Sequence, residues 1–237
     1  MVNKDKFKTF KNVFDLYTER NLFKLITQGY FEGMKSPISL GKEANIFSVL
    51  RKDGSLAILK IYRLTTCDFN GMYNYLKYDP RFNGITKQKR QIIFSWAQRE
   101  YRNLLKCREM GVNAPIPYVC KDNIVLMEFI GCGEPAPQLK DKIPKNPKKM
   151  LKEIIDQIKL LYRNDLVHAD LSKFNILNNN ETPVLIDFSQ STPLENPRSE
   201  EFLERDVKNV CDYFKKLDLN VNAQKIMAEI KKFKNKP

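Results

Sequence analysis

An aspartate, an asparagine five residues on, and a second aspartate twelve residues beyond that leave few folds open. They stand in His168-Ala169-Asp170-Leu171-Ser172-Lys173-Phe174-Asn175 and in Ile186-Asp187-Phe188. The first run reads as a polar loop before a short strand, and Asp187 ends a second short apolar strand. An aspartate in such a loop can orient an attacking oxygen and take its proton. An asparagine carbonyl can hold a hard cation, and a carboxylate at a strand end can join that cation to phosphate oxygens. Each piece alone is weak, because Asp and Asn cap turns everywhere. Together, in this order and spacing, they describe half of a phosphoryl-transfer site.

The upstream half agrees. Lys60 closes Ala57-Ile58-Leu59-Lys60, which matches the V-A-I-K strand of kinases. An ammonium aimed inward from a strand needs anions, namely phosphate oxygens and a carboxylate. Glu100, in the apolar-striped helix 91–110, is the candidate carboxylate; a solvated helix position is the alternative. Ser39-Leu40-Gly41-Lys42-Glu43-Ala44-Asn45 precedes the first predicted strand and takes the place of a phosphate-covering loop. It holds one glycine only, so it is neither G-x-G-x-x-G nor a Walker A motif.

The remaining pattern is two-part. A helix is predicted over 12–31, from Val13, Leu16, Leu22, Leu25 and Ile26. Two hairpins follow. One turns at Asp53-Gly54 between strands 46–50 and 56–62; the other turns at 121–123 between 118–120 and 124–129. Residues 63–90 show no clear periodicity, and a segment this long without it is either functional or an unstructured insert. Gly131 to Pro147 reads as a joint. Helices are predicted at 148–163, 199–217 and 222–234, and short strands near 176–177 and 184–186. The expected segments are an N-terminal helical extension over 1–36, an N-lobe over 37–132 and a C-lobe over 133–237.

Charge narrows the partners. Of 237 residues, 41 are Lys or Arg and 28 are Asp or Glu, a net +13. That surplus suits a polyanionic partner, though solubility alone also explains it. The Lys140–Lys152 cluster and the terminal Lys231, Lys232, Lys234 and Lys236 read equally as RNA contacts or as solvated faces. Five cysteines without a CxxC pair argue against a disulfide framework or a zinc knuckle. No apolar run approaches membrane-spanning length and Met1–Lys11 has no apolar core, so neither membrane insertion nor secretion is expected, and the expected compartment is the cytoplasm.

Five segments resemble the RIO family of atypical serine/threonine protein kinases. They are Ser39 to Phe47, Trp96 to Leu104, Met127 to Gly131, His168-Ala169-Asp170-Leu171-Ser172 and Ile186-Asp187-Phe188-Ser189-Gln190. With 38 residues before Ser39, too few for a winged-helix domain, the chain is similar to the first subfamily in an archaeal-like form. The resemblance implies an α+β, two-lobed protein-kinase-like fold, with a small antiparallel-sheet N-lobe and a mostly helical C-lobe. ATP and Mg²⁺, with Mn²⁺ as a substitute, would bind between the lobes. It implies that Lys60 holds the α/β-phosphates and pairs with Glu100, that Asp170 is the catalytic aspartate, and that Asn175 and Asp187 hold the metal. The Glu128 carbonyl and Ile130 amide would read adenine beside a Met127 gatekeeper, and Ser39, Gly41 and Lys42 would lie over the phosphates. It further implies an ATPase-like cycle with Asp187 as a candidate aspartyl-phosphate, and a partner in the pre-small ribosomal subunit particle and its rRNA. It also implies that 63–90 is a flexible loop able to carry autophosphorylation, with Thr65, Thr66 and Thr86 as candidate hydroxyls.

The departures from ordinary kinases are informative. Ala169 stands where an arginine would read a phosphorylated activation loop, and Ser172 where Ser/Thr kinases carry a lysine. No A-P-E follows Asp187. Two other readings stay open on sequence: a small-molecule kinase of the aminoglycoside or choline type, and a catalytically silent ribonucleoprotein-binding scaffold. His168, the only histidine, reads as a structural residue of its loop, and Asp206 as either a loop anchor or a solvated aspartate.

Overall fold

In the computed structural model, which describes residues 14–234, the chain forms two compact units. The first comprises residues up to 76, 84–101 and 117–129; the second comprises 77–83, 102–116 and 130 onward. The architecture is α+β, as the motifs imply.

The first unit is built on a five-stranded antiparallel sheet in the order β1-β2-β3-β5-β4. Its strands are β1 (Gly33–Leu40), β2 (Ala44–Leu50), β3 (Leu56–Tyr62), β4 (Pro117–Lys121) and β5 (Ile124–Glu128). The β2–β3 turn closes as Asp53-Gly54 predicts. Gly54 sits at φ +80°, and the Asp53 carboxylate accepts from the Ser55 amide at 3.0 Å. β1 was not anticipated, because Lys35, Ser36, Pro37 and Ser39 break the apolar pattern. It is an exposed edge strand, where polar residues and proline are tolerated.

Alternation along the strands sorts the two faces. Phe47, Val49, Ala57, Leu59, Ile61, Ile124 and Leu126 form one buried cluster with Leu22, Leu25 and Ile26 of α1 (Leu16–Thr27). Helix α1 starts where Asp15 accepts from the Tyr17 and Thr18 amides, each at 3.0 Å, so the predicted start at residue 12 falls outside the described residues. Lys60, between Leu59 and Ile61, therefore points to the opposite face, and so does Tyr62.

Residues 63–90 differ from the loop that sequence suggested. They contain α2 (Phe69–Leu76), with Met72 and Leu76 buried, and a 3-10 turn, Pro80–Phe82. Buried Asp79 caps that turn and pairs with Arg81 at 2.6 Å. Aromatic and asparagine residues hid the helix, since its eight residues are too few for a periodic signal. Helix α3 (Lys89–Glu109) follows and runs from the first unit into the second.

The second unit is mostly helical: α4 (Pro147–Arg163), α5 (Ser199–Lys215) and α6 (Ala223–Lys234). α4 is capped by Asn146 and buries Met150, Leu151, Ile154, Ile155, Ile158, Leu161 and Tyr162, the stripe read from sequence. α5 buries Phe202, Leu203, Val207, Val210 and Phe214. Among the short strands, β6 (Gly131–Cys132) pairs with β7 (Glu134–Pro135), and β8 (Leu166–Val167) with β11 (Thr192–Pro193). β9 (Ile176–Asn179) pairs with β10 (Thr182–Leu185). No described helix is long and apolar enough to cross a membrane.

Candidate active site

The first unit carries a buried ion pair. Lys60 Nζ lies 2.8 Å from Glu100 Oε1, with the two side chains only 7% and 1% exposed. The sequence motif placed these residues on β3 and α3, and the solvated alternative for Glu100 is wrong. A partner that sequence reasoning missed completes the pair. Tyr62, two residues along β3 on the same face, donates its hydroxyl to Glu100 Oε2 at 2.6 Å. Its ring also lies 5.1 Å from Lys60 Nζ. The period-2 spacing of Lys60 and Tyr62 was the available signal. With both carboxylate oxygens engaged, Glu100 is fixed in one rotamer, and Lys60 is fixed with it.

The segment read as a phosphate-covering loop is a hairpin. Ser39 lies in β1, paired with Ile46, and Gly41 and Lys42 form the β1–β2 turn, closed by a Gly41 amide to Ala44 carbonyl bond of 3.0 Å. The turn's carbonyls are tied down by the segment after β3. Thr66 Oγ1 donates to the Lys42 carbonyl at 2.5 Å, and the Arg63 amide to the Glu43 carbonyl at 2.9 Å. Of the candidate hydroxyls, Thr66 is thus engaged, and Thr86 bonds Gln91. Glu128 ends β5 beside Ala57, with Met127 buried before it. Ile130 gives its carbonyl to the Ala136 amide at 2.8 Å, next to Gly131, where an added Cβ would lie 2.1 Å from the Glu134 carbonyl oxygen.

In the second unit, the β9–β10 hairpin does the assembly. Asn175 immediately precedes β9, and Ile186 immediately follows β10. Antiparallel pairing of Ile176 with Leu185 brings those ends together, and the Ile186 amide donates to the Asn175 carbonyl at 3.0 Å. Twelve residues of sequence therefore place Asn175 beside Asp187. Asn175 Nδ2 donates to the Asp170 carbonyl at 2.8 Å and to Asp170 Oδ2 at 3.1 Å. The Asn175 amide nitrogen is thereby spent on Asp170, which leaves its carbonyl oxygen as the group for a cation. Asp170, Asn175 and Asp187 are all half-buried.

These donors fit Mg²⁺. They are hard oxygens, few in number, leaving positions for water and phosphate. No described cluster of three His, Cys, Asp or Glu side chains could hold a metal without such help.

The two loops carry backbone strain that their surroundings hold in place. Ala169 has φ +65° and Asp187 φ +61°, the left-handed region that costs a non-glycine residue about 1 kcal/mol or more. Helix α5 holds Ala169. Buried Asp206 accepts from the Ala169 amide at 2.7 Å and the Leu171 amide at 2.8 Å. Arg205 donates to the Ala169 carbonyl, and Asn209 to the Leu171 carbonyl at 3.2 Å. Asp206 is thus the loop anchor, not a solvated residue. Burial pushes its carboxyl up to about 7, against the lowering effect of those two amides. Asp187 is held by Ser189, whose hydroxyl donates to Oδ1 at 2.6 Å. Asn103 of α3 bonds the Phe188 and Ser191 carbonyls at 2.8 and 3.0 Å, and its own carbonyl accepts from Arg81 at 2.8 Å.

His168 is structural. Its Nε2 lies 3.0 Å from the Ile186 carbonyl, and its ring is 4.7 Å from that of Phe188. Burial pulls its pKa down to about 4, so at neutral pH it is uncharged and donates from Nε2.

Comparison with known proteins decides the family. The RIO domain matches residues 45–226. This chain belongs to the RIO family. The Rio1 RIO-type serine/threonine-protein kinase of Methanocaldococcus jannaschii is 38% identical over 225 residues, covering 94% of this chain and 77% of that one. Its counterpart in Haloferax volcanii is 36% identical over 213 residues, covering 90% and 73%. The chain is therefore an atypical protein kinase of the RIO type. Among solved structures, the Rio2 kinase–ADP/Mg²⁺–phosphoaspartate complex from Chaetomium thermophilum superposes with a TM-score of 0.65 at 23% identity. It covers 83% of this chain and 59% of that one. That likeness shows the kinase-like fold.

Proposed function

We propose that this RIO protein transfers the γ-phosphoryl group of Mg²⁺-ATP and works in the cytoplasm as an ATP-driven switch on the maturing small ribosomal subunit. The observation that carries the chemistry is the β9–β10 hairpin, which sets Asn175 beside Asp187 while Asn175 holds Asp170. Lys60, braced by Glu100, meets the α/β-phosphates. Asp170 accepts a proton from the attacking hydroxyl or water. Bound Mg²⁺, held by Asn175 and Asp187, supplies neutralising charge on the phosphate oxygens. Gly41 and Lys42 cover the phosphates from the β1–β2 turn, with Ser39 beside it, and Glu128 and Ile130 offer backbone groups to adenine.

Two routes leave this site. In one, a Ser or Thr oxygen attacks phosphorus, the bond to the ADP oxygen breaks, and the hydroxyl proton passes to Asp170. In the other, an Asp187 carboxylate oxygen attacks phosphorus and ADP leaves; water then cleaves the acyl phosphate to regenerate the carboxylate and free phosphate. The phosphoaspartate named for the Rio2 complex supports the second route, and so does the left-handed backbone that fixes Asp187. The ribosomal partner is supported by family membership and by the net charge of +13.

Labelled γ-phosphate followed with Mg²⁺ and purified small-subunit particles tests both parts. The wild type is expected to release free phosphate and to carry a base-labile labelled fraction that Asp187→Asn lacks. Asp170→Asn is expected to bind ATP and not turn it over. Normal turnover by Asp170→Asn would refute the site assignment, and turnover indifferent to the particles would refute the partner.

A further inference from the structure

An exposed aromatic side chain sits inside the proposed catalytic loop. Phe174, between Asp170 and Asn175, is 49% exposed in a loop otherwise tied down by hydrogen bonds. Two ammonium groups flank its ring, Lys140 Nζ at 5.4 Å and Lys173 Nζ at 5.3 Å from the centroid. Neither group is paired there by a carboxylate of the catalytic loop; Lys140 has Asp141 at 4.0 Å, a long contact.

Lys140 does not reach this place by chance of a floppy surface. Its segment is fastened at residues 137–140, to β9, to α5 and to the catalytic loop. The Leu139 amide donates to the Ile176 carbonyl at 2.9 Å, and the Lys140 amide to the Lys173 carbonyl at 3.3 Å. The Asn178 amide donates to the Pro137 carbonyl at 2.8 Å, and Tyr213 Oη to the Leu139 carbonyl at 2.7 Å. The strap that continues from it to residue 149 carries Lys140, Lys142, Lys145, Lys148 and Lys149, with Asp141 the one acid in its own sequence, Glu153 3.6 Å from Lys149 and Glu181 on the Lys145 amide. All five lysines are exposed.

We infer that Phe174, Lys140 and Lys173 form the acceptor-recognition surface of this kinase, and that they select Ser or Thr in acidic polypeptide segments. The inference rests on the reading of Asp170 as the proton acceptor. An acceptor hydroxyl must come to Asp170, so its flanking residues pass over whatever surrounds that loop. Phe174 lies four residues from Asp170, at most about 14 Å along an extended chain and less in this folded loop. An extended peptide rises about 3.3 Å per residue, so the selected acids lie within about four positions of the acceptor. The strap extends the same positive field further along the segment. Phe174 gives the peptide an apolar seat, which a purely electrostatic patch lacks. This surface also supplies what the missing A-P-E platform would otherwise provide.

The test uses the full chain and three peptides of equal length with one central serine, flanked by Asp, by Ala or by Lys. The Asp peptide is expected to show at least tenfold higher kcat/KM than the Ala peptide, mostly through KM. The pair Lys140→Glu/Lys173→Glu is expected to erase that preference, about a tenfold loss in the ratio of kcat/KM for the Asp peptide over the Ala peptide. Phe174→Ala is expected to raise KM for the Asp and Ala peptides alike. Equal use of Asp and Ala peptides by the wild type would overturn the inference, as would a preference that survives the double charge reversal. Tight binding of a single-stranded RNA oligomer that needs both lysines and that the Asp peptide cannot displace would also overturn it, assigning the surface to nucleic acid. If the wild type shows no ATP turnover that Asp170→Asn removes, the failure lies in the underlying reading of Asp170, and this inference falls with it.

Discussion

The two units secure their reactive groups by opposite means. In the first, a charged side chain is held by other side chains: Lys60 by Glu100, and Glu100 by Tyr62. In the second, a backbone is held in shape by side chains from elsewhere. Asp206, Arg205 and Asn209 of α5 clamp the loop at 169–171, and Asn103 clamps the loop at 188–191. The difference follows from what each half must present. An ammonium on a strand needs its direction fixed, which one buried counter-charge accomplishes. Carboxylates on loops need the loops themselves fixed, and no single contact does that. The lesson is that the first half can be separated from its stability, while the second cannot.

The largest expected effect comes from the backbone clamp. Asp206→Ala strands two buried amides, those of Ala169 and Leu171, and removes what holds Ala169 in its left-handed conformation. Unpaired buried donors cost about 1–3 kcal/mol each, so a loss of about 4 kcal/mol in urea unfolding is expected. A loss below about 1 kcal/mol would mean that Arg205 and Asn209 suffice, and that the loop keeps its shape without Asp206.

The ion pair should behave differently, and a double-mutant cycle draws the contrast. Glu100→Leu leaves Lys60 charged and buried, an expected loss of about 3 kcal/mol. Lys60→Met/Glu100→Leu removes both charges and is expected to recover most of that stability while ATP turnover stays abolished. A double variant as unstable as the single one would show that the pair holds up the fold of its unit, and the contrast with the Asp206 clamp would disappear.

What the sequence could and could not reveal divides along the same line. Contacts that follow from short-range geometry were legible. The Asn175–Asp187 approach follows from a hairpin, and Lys60 from a strand motif. Turn residues marked two of the sheet's three hairpins, β2–β3 and β4–β5. Contacts made by residues distant in sequence were not. Asp206 lies 37 residues from the amide of Ala169 and could only be left as anchor or solvated; Asn103 lies 85 residues from the Phe188 carbonyl it binds. Edge strand β1 was missed because it lacks an apolar face, and α2 because it is short and aromatic. Helix propensity and period carry no information about either, since tertiary pairing decides them.

The finest test of the comparison is the hydroxyl that sequence reasoning overlooked. Tyr62→Phe removes one hydrogen bond to Glu100 Oε2 and keeps the ring that faces Lys60 Nζ, so the cation–π contact survives. A stability loss of about 1–2 kcal/mol is expected for a bond to a charged acceptor. Freed on one side, Glu100 no longer fixes Lys60, so KM for ATP should rise by about fivefold with kcat changed less, because in the proposed function Lys60 would meet phosphates that are bound before as well as during transfer. A purely structural tyrosine would lower stability without moving KM. An unchanged KM in a destabilised variant would therefore remove Tyr62 from the site and leave the Lys60–Glu100 pair to orient itself.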